Sequence, residues 1–274
     1  MPLALVLAVP STVIRPRTPR REQLGEFLTR RRRAMARSAV GLPPARGRTA
    51  GLSREEVATL AGVSGTWYTW LEQGRDINVS RQVLTAVARV LDLTAAETDF
   101  VLALAERSEV PLDDEPVAMP AALQHLLDAL DFPAFALATD WSIVGWNAGY
   151  AWLYPPIGEL DASDRNLLWL VYTDPRLRDL LPDWEQDSRR FLAEFRAESG
   201  VRLSAPRHKA LVDRLSAASA DFRTQWAELT IERFASRRRT FRHPDGDLLT
   251  FEHHRLVPSE APDLHVVMYV PVEG

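Results

Sequence analysis

The stretch Leu52–Gly74, LSREEVATLAGVSGTWYTWLEQG, decides the fold of the amino-terminal part of this 274-residue chain. Ser53 stands three residues before Glu56, which is the spacing of a capping box and predicts the start of a helix. Gly62 favours a tight turn because it tolerates a positive φ, and Ser64 is suited to cap a second helix. The glycine that closes the stretch can end that helix. The stretch therefore predicts two short helices joined by a turn.

Two short helices with little core of their own are typical of a helix-turn-helix unit, whose second helix enters the major groove of DNA. The same helices would also fit a plain helical hairpin in an all-α core. The charge beside them favours DNA, because Arg15 to Arg54 contains twelve Arg and two acidic residues, a net charge of +10. The whole chain carries a net charge of −4. Positive charge is thus concentrated next to the hairpin, which is the electrostatic pattern of phosphate binding.

Three further helices are predicted around this hairpin. A helix from about residue 22 to residue 36 precedes it, with apolar side chains near one face. Ser80 is suited to cap a helix with a buried stripe, and Thr94 with Glu97 forms a second capping box. We therefore expect a five-helix, all-α domain over residues 20–108.

The rest of the chain differs from this domain in composition and in predicted secondary structure. We expect residues 1–19 to form a disordered tail or to lie upstream of the native start, and the acidic, proline-containing residues 109–119 to form a linker. Residues 120–274 contain six of the eight Trp and several short strand patterns, including two strands around a turn at His243–Gly246. They predict an α+β domain with an antiparallel sheet of about five strands. The chain is thus predicted to be a multidomain protein.

Composition narrows the possible function. The absence of cysteine excludes disulfides, thiol catalysis and Cys-based zinc sites. Because the sequence has no glycine-rich phosphate loop and no paired His for haem or metal ligation, we expect no cofactor and no metal site. The apolar residues 1–14 are too short to span a bilayer and lack the leading positive charges of a signal peptide. We therefore expect a cytoplasmic protein without membrane contact.

Several motifs resemble a known family. The amino-terminal part resembles the repressor-type helix-turn-helix family called XRE, whose second helix ends in Leu-Glu-x-Gly, here residues 71–74. The string GLSREEVATLAGVS, with the basic loop before it, is similar to the MmyB-like branch of that family. The carboxy-terminal part resembles the same branch in four motifs: VGWN, RNLLWLVY from Arg165, PDWE up to Glu185 and FRHPDGDLLTFE from Phe241. The resemblance covers about residues 20 to 272 and implies a PAS-like, ligand-binding carboxy-terminal domain.

By this similarity the recognition helix runs from residue 64 to residue 73, and its first turn should meet the bases. Tyr68 and Leu71 are expected to face inward, and Glu72 is expected to pair with Arg32 or Arg33 and so fix the helix. The predicted contacts with bases, phosphates or the minor groove are Arg46, Arg48, Arg54, Ser64, Gly65, Thr66, Trp67, Thr69, Trp70 and Arg75.

We expect this helix to make few specific contacts with bases. Gly65 offers only backbone, and Trp70 offers an apolar face suited to a thymine methyl group. With few bidentate base contacts, a single copy would have modest specificity. We therefore expect a homodimer on double-stranded DNA, with two half-sites about one helical turn apart.

A sheet packed by aromatic and aliphatic side chains, with helices over one face, predicts an apolar pocket. Together with the resemblance to a ligand-binding domain, this pocket implies a small, apolar, fatty-acid-like ligand. The predicted lining is Phe135, Leu137, Trp146, Tyr150, Trp152 and Trp169. An alternative keeps DNA binding but makes the carboxy-terminal domain a docking module for a partner protein that binds no small ligand. An enzyme is not expected, because no spacing ties Asp140, His125 and Glu185 into an acid–base site.

Overall fold

The computed structural model describes residues 18–44, 51–106 and 117–272, except for the side chains of residues 201 and 204. The chain divides into two compact units, Met1–Leu93 and Thr94–Gly274. Most of the predicted tail and of the predicted linker, and also Arg46 and Arg48, lie outside the described residues, so these domain limits stay predictions. Among the described helices, none is both long and apolar enough to cross a membrane.

The first unit is helical, as predicted. Its elements are α1 (Pro19–Ala34), a short 3-10 turn (Arg37–Val40), α2 (Arg54–Ala61), α3 (Gly65–Glu72) and α4 (Arg81–Val90). Helix α1 begins three residues before the predicted start because Pro19 occupies its first turn, where a missing N–H costs nothing.

Local capping defines the ends of α2, α3 and α4. The capping box of Ser53 and Glu56 is present at the start of α2, and Gly62 ends that helix with φ +71°. The Ser64 hydroxyl accepts a hydrogen bond from the Trp67 N–H, 3.1 Å away, and so caps α3. These contacts confirm the helix, turn and helix that the sequence predicted.

The core of the first unit lies where α1, α2, α3 and α4 meet. Helix α1 packs against α3, and α2 packs against both α3 and α4. The backbones of α1 and α3 approach so closely that a Cβ on Gly25 would lie 2.2 Å from the carbonyl oxygen of Glu72. The buried side chains include Leu24, Phe27, Leu28, Val57, Tyr68, Leu71, Leu84 and Val87.

The second unit is an α+β domain, as predicted. Its helices are α5 (Ala95–Ala105), α6 (Ala121–Asp128), α7 (Ala148–Leu153), α8 (Leu167–Thr173), α9 (Pro175–Leu180), α10 (Trp184–Ser199), α11 (Pro206–Ala218) and α12 (Ala220–Ala227). Its strands are β1 (Ala134–Ala138), β2 (Ile143–Trp146), β3 (Arg237–Arg242), β4 (Leu248–Leu256) and β5 (Leu264–Pro271). Helix α5 contacts α10 and lies in this unit, whereas residues 94–108 were predicted to belong to the amino-terminal domain, so the predicted boundary stays a prediction.

The five strands form one antiparallel sheet in the order β2-β1-β5-β4-β3. Strand β1 is buried along its whole length because both faces of the sheet are covered there. Phe135 and Leu137 face the main core between the sheet and the helices α7 to α10. Ala134 and Ala136 face the other side, where α6 packs through Leu127. We call the side of the sheet that bears Phe135 the inner face.

Candidate functional site

A buried carboxylate joins three helices of the first unit. Glu72, at the end of α3, has a fully buried side chain and accepts hydrogen bonds from Arg32 Nε on α1 (2.6 Å) and Arg54 Nε on α2 (2.6 Å). Burial alone would raise the pKa of Glu72, but the hydrogen bonds and charges of the two guanidinium groups outweigh it and lower this pKa. The prediction that Glu72 pairs with an arginine of the first helix is confirmed for Arg32.

Helix α3 turns one face inward and another outward. Tyr68 and Leu71 are buried, as predicted. On the opposite side Thr66 and Trp70 are exposed and Thr69 is partly exposed, at the spacing of three and four residues that places side chains on one helix face. Arg75 follows the helix, and its guanidinium lies 5.7 Å from the centroid of the Trp70 ring. We call this exposed set, Thr66, Thr69, Trp70 and Arg75, the outer face of α3.

The remaining predicted DNA contacts among the described residues are Ser64, Gly65, Trp67 and Arg54. Gly65 has open space where a Cβ would be, and Ser64 is exposed while its hydroxyl oxygen caps the helix. Trp67 is partly exposed. The Arg54 side chain stays 39% exposed although its Nε binds Glu72. Ser64, Gly65 and Trp67 thus lie at the start of α3, whereas Arg54 lies beside Glu72 at its end, and their contact with DNA stays a prediction.

In the second unit, an internal cavity lies between the inner face of the sheet and the helices that cover it. Its volume is about 10 Å³, so it is closed to anything larger than a water molecule unless side chains move. Its lining is Tyr150, Leu153, Leu167, Val171, Leu177, Leu180, Leu181, Phe191, Phe241 and Tyr269.

The six residues predicted to line a pocket fall into two groups. Phe135, Leu137 and Tyr150 lie together in the core, where the rings of Phe135 and Tyr150 are 4.3 Å apart, and Tyr150 lines the internal cavity. The three Trp do not line this cavity, although Trp146 and Trp169 pack against the surrounding core, and each has another side chain over its ring. Their partners are Arg165 for Trp146 (5.2 Å), Arg214 for Trp169 (3.6 Å) and His243 for Trp152 (4.4 Å).

A larger pocket adjoins the internal cavity. Its volume is about 640 Å³, and Leu153 and Leu180 line both spaces. We call this space the outer pocket. The sequence did not predict it, because helix α9 was missed. The signal for α9 was Asp174 before a proline, since the Asp174 side chain caps the helix and proline occupies its first turn. The remaining lining is Tyr154, Pro155, Pro156, Arg176, Asp179, Arg242, His243, Pro244 and Gly246.

Two family models match the chain. The model of a helix-turn-helix domain matches residues 23–101, which include α2 and α3. The model of the MmyB-like transcription regulator ligand binding domain matches residues 119–274, more than half of the chain. No curated protein matches. Both families are domains of transcription regulators rather than enzymes.

Proposed function

The chain belongs to the family of MmyB-like transcription regulators, and from this premise we propose that a small apolar, fatty-acid-like ligand controls its binding to specific DNA sequences. Membership of this family gives the general function: the chain is a DNA-binding transcription regulator with a ligand-binding domain. The single observation that supports the ligand is the internal cavity, which is separated from the outer pocket by Leu153 and Leu180.

The proposed DNA interface is the outer face of α3 together with Arg54 at the start of α2. The Glu72 carboxylate, held by two arginines, fixes α3 against α1 and α2, so that the exposed residues keep one geometry. Phosphate contacts would come from Arg54 and Arg75, and base contacts from Thr66, Thr69 and Trp70. Because phosphate binding releases counterions, affinity should fall steeply as the salt concentration rises.

Replacing Trp70 with Ala should weaken binding to the operator about tenfold, because the apolar contact between its ring and a thymine methyl group would be lost. The side chain is 39% exposed and lies outside the buried core, so its loss should lower the melting temperature much less than the loss of a buried core residue. Fluorescence anisotropy with labelled operator DNA measures the affinity, and calorimetry measures the melting temperature.

Leu60 is the matched control, because it is also a large apolar residue in this unit, 43% exposed, but lies on α2. Leu60→Ala should leave the DNA affinity close to that of the wild type. If both variants bind DNA equally well, the outer face of α3 does not read the bases.

The ligand would act by opening the interior of the second unit. In the described conformation the cavity is nearly closed, so a ligand that fills it must select a conformation in which side chains such as Leu153 and Leu180 have moved. Coupling between two such sites typically changes affinity by about 5–150-fold. We expect a change of this size in the affinity for operator DNA when the ligand binds.

Native mass spectrometry of the purified full-length chain tests the ligand directly. We expect either a bound apolar molecule or, after its removal, binding of one dodecanoate per chain with a change in DNA affinity. If no small molecule is bound and dodecanoate neither binds nor alters DNA affinity, protein docking becomes the better hypothesis. Leu248, Leu256 and Val257 favour that second candidate, because these large apolar side chains are 55–61% exposed on or beside β4.

A homodimer is part of the proposal. Two copies would place two recognition helices on half-sites about one helical turn apart. Light scattering should give a mass twice that of the 30.8 kDa chain, and footprinting should show two protected half-sites. A monomer with one protected half-site would contradict this part of the proposal.

A further inference from the structure

The inner face of the sheet changes from apolar to polar along β3 and β4. Phe241 and Phe251 belong to the hydrophobic core, whereas Arg239 and His253 bring polar groups into the same layer. Arg239 pairs with Phe251 and Arg237 pairs with His253 in the strand register. Arg239 and His253 are therefore diagonal neighbours on one face, and they are only 3% and 4% exposed. We call Arg239 and His253 the polar end of the interior.

The polar end contains buried groups without hydrogen-bond partners. None of the three guanidinium nitrogens of Arg239 has a hydrogen-bond partner among the described residues, and neither does Nδ1 of His253. The Arg239 guanidinium lies 4.0 Å from the centroid of the Phe191 ring, so an aromatic face is its neighbour on α10. Burying a charged group without a hydrogen-bonded counterion is costly. An anion placed here would remove that cost.

The neighbouring carboxylates do not hydrogen-bond to Arg239. Glu194, 2% exposed on α10, forms its ion pair with Arg237. Asp187, another buried carboxylate of that helix, makes no hydrogen bond with Arg239. Burial first, and then the nearby arginines, lower the pKa of His253 well below its usual value. His253 is therefore neutral near pH 7, and an N–H of its ring can donate to an anion.

The polar end borders the internal cavity. Phe191 contacts the Arg239 guanidinium and also lines the cavity, and Tyr269, whose ring lies 5.1 Å from that of His253, lines it too. We propose that Arg239, with His253 beside it, binds the carboxylate head of the ligand, while the apolar chain fills the cavity toward Leu153 and Leu180. The guanidinium fork suits a carboxylate because it can donate two parallel hydrogen bonds. This inference rests on the proposed ligand-binding function.

Three probes with the same chain length test the head group: dodecanoate, dodecanol and methyl dodecanoate. Isothermal titration of the full-length protein should show that dodecanoate binds at least tenfold more tightly than the alcohol or the ester. Arg239→Met should abolish this preference and leave the affinity for dodecanol unchanged. Arg238→Met is the matched control, because Arg238 is the preceding residue on β3 and its side chain is exposed. That variant should keep the preference.

The outcomes separate this inference from the proposed function. If the acid and the alcohol bind the wild type equally, the apolar site exists but the carboxylate is not recognised, and the inference is wrong. The inference is also wrong if Arg239→Met keeps the preference, or if the preference is lost instead in Arg242→Met, at the outer pocket. If no probe binds, the fatty-acid-like ligand itself is wrong, and the inference fails with it.

Stability without ligand provides a second readout. Because Arg239 lacks a hydrogen-bonded counterion, Arg239→Met should not lower the melting temperature of the ligand-free protein. Arg237→Met should lower it, because it leaves the buried Glu194 carboxylate without its partner. If Arg239→Met lowers the melting temperature as much as Arg237→Met, Arg239 has a structural role and the proposal is overturned.

Discussion

Replacing Glu72 with Gln is expected to destabilise the first unit by about 3–5 kcal/mol, which is the usual cost of breaking a buried ion pair by removing one partner. Glutamine has nearly the same shape, but it carries no charge and offers one acceptor oxygen instead of two. Arg32, whose side chain is 9% exposed, would keep its positive charge in a buried site without a carboxylate partner, and it would share one amide oxygen with Arg54 beside its bond to the Leu52 carbonyl. Helix α3 would lose its main polar attachment to α1 and α2.

Hydrogen exchange measured by mass spectrometry on the full-length protein checks this prediction, because it reports the stability of each helix separately. The amides of α1 and α3 should exchange much faster in Glu72→Gln than in the wild type, whereas those of the sheet should not change. Glu56→Gln is the control, since Glu56 pairs with Arg37 in a more exposed site. If the two variants exchange equally fast, the Glu72 cluster is not a major source of stability.

The Glu72 and Trp70 variants distinguish a residue that positions α3 from a residue that contacts DNA. Trp70→Ala should lower DNA affinity and reduce stability much less than Glu72→Gln, because the Trp70 side chain lies outside the buried core. Glu72→Gln should lower both, because the side chain is buried and touches no solvent. The two side chains lie two residues apart on one short helix, yet their expected effects differ because they lie on opposite faces.

The helical pair could be predicted because its signals are local. The capping box at Ser53, the left-handed glycine at Gly62 and the cap at Ser64 each depend on residues within three or four positions. The buried pair of Glu72 with Arg32 spans forty residues, but it was predictable because the resemblance had already placed both helices. The signal for the hairpin of β3 and β4 was equally local, because it lies in the turn where Gly246 adopts φ +99°.

The interior of the second unit was less predictable because its contacts are distant in sequence. The sequence favoured Trp146 and Trp169 as pocket lining because they are large and aromatic. In the structure Arg165 and Arg214 lie over their rings, and the second of these arginines comes from a helix far along the chain. Arg239 was not singled out, because an arginine among several on an edge strand looks solvent-exposed. Only the strand register shows that its side chain enters the core.

Asn147 is expected to be the most sensitive polar residue of the second unit. Its side chain is 2% exposed and connects the end of α6, the start of β1 and the start of α7. Its oxygen accepts hydrogen bonds from the N–H groups of Ala134 (3.0 Å) and Tyr150 (2.9 Å). Its Nδ2 donates to the carbonyls of Leu127, Leu130 and Phe132.

Asn147→Ala would leave two N–H groups and three carbonyls in this buried corner without that partner. Each buried group that stays unsatisfied costs about 1–3 kcal/mol, so the domain should lose a large part of its stability. Urea denaturation followed by circular dichroism measures the loss. Asn166→Ala is the control, because Asn166 is also a buried helix cap but makes two such hydrogen bonds, with Trp169 and Asp140. The prediction fails if the two variants are equally stable.

Asn147→Asp tests whether the hydrogen bonds that Asn147 Nδ2 donates are necessary. The carboxylate keeps the acceptor oxygens but faces the three carbonyl oxygens that Nδ2 now satisfies, so its ionised form is disfavoured in the folded state. Its folded-state pKa should therefore lie above its unfolded-state value, and stability should be lost as the pH rises through this range. We expect the variant to approach wild-type stability at about pH 4 and to lose it by about pH 7. A loss that does not depend on pH would mean that shape, rather than the donor hydrogens, makes Asn147 necessary.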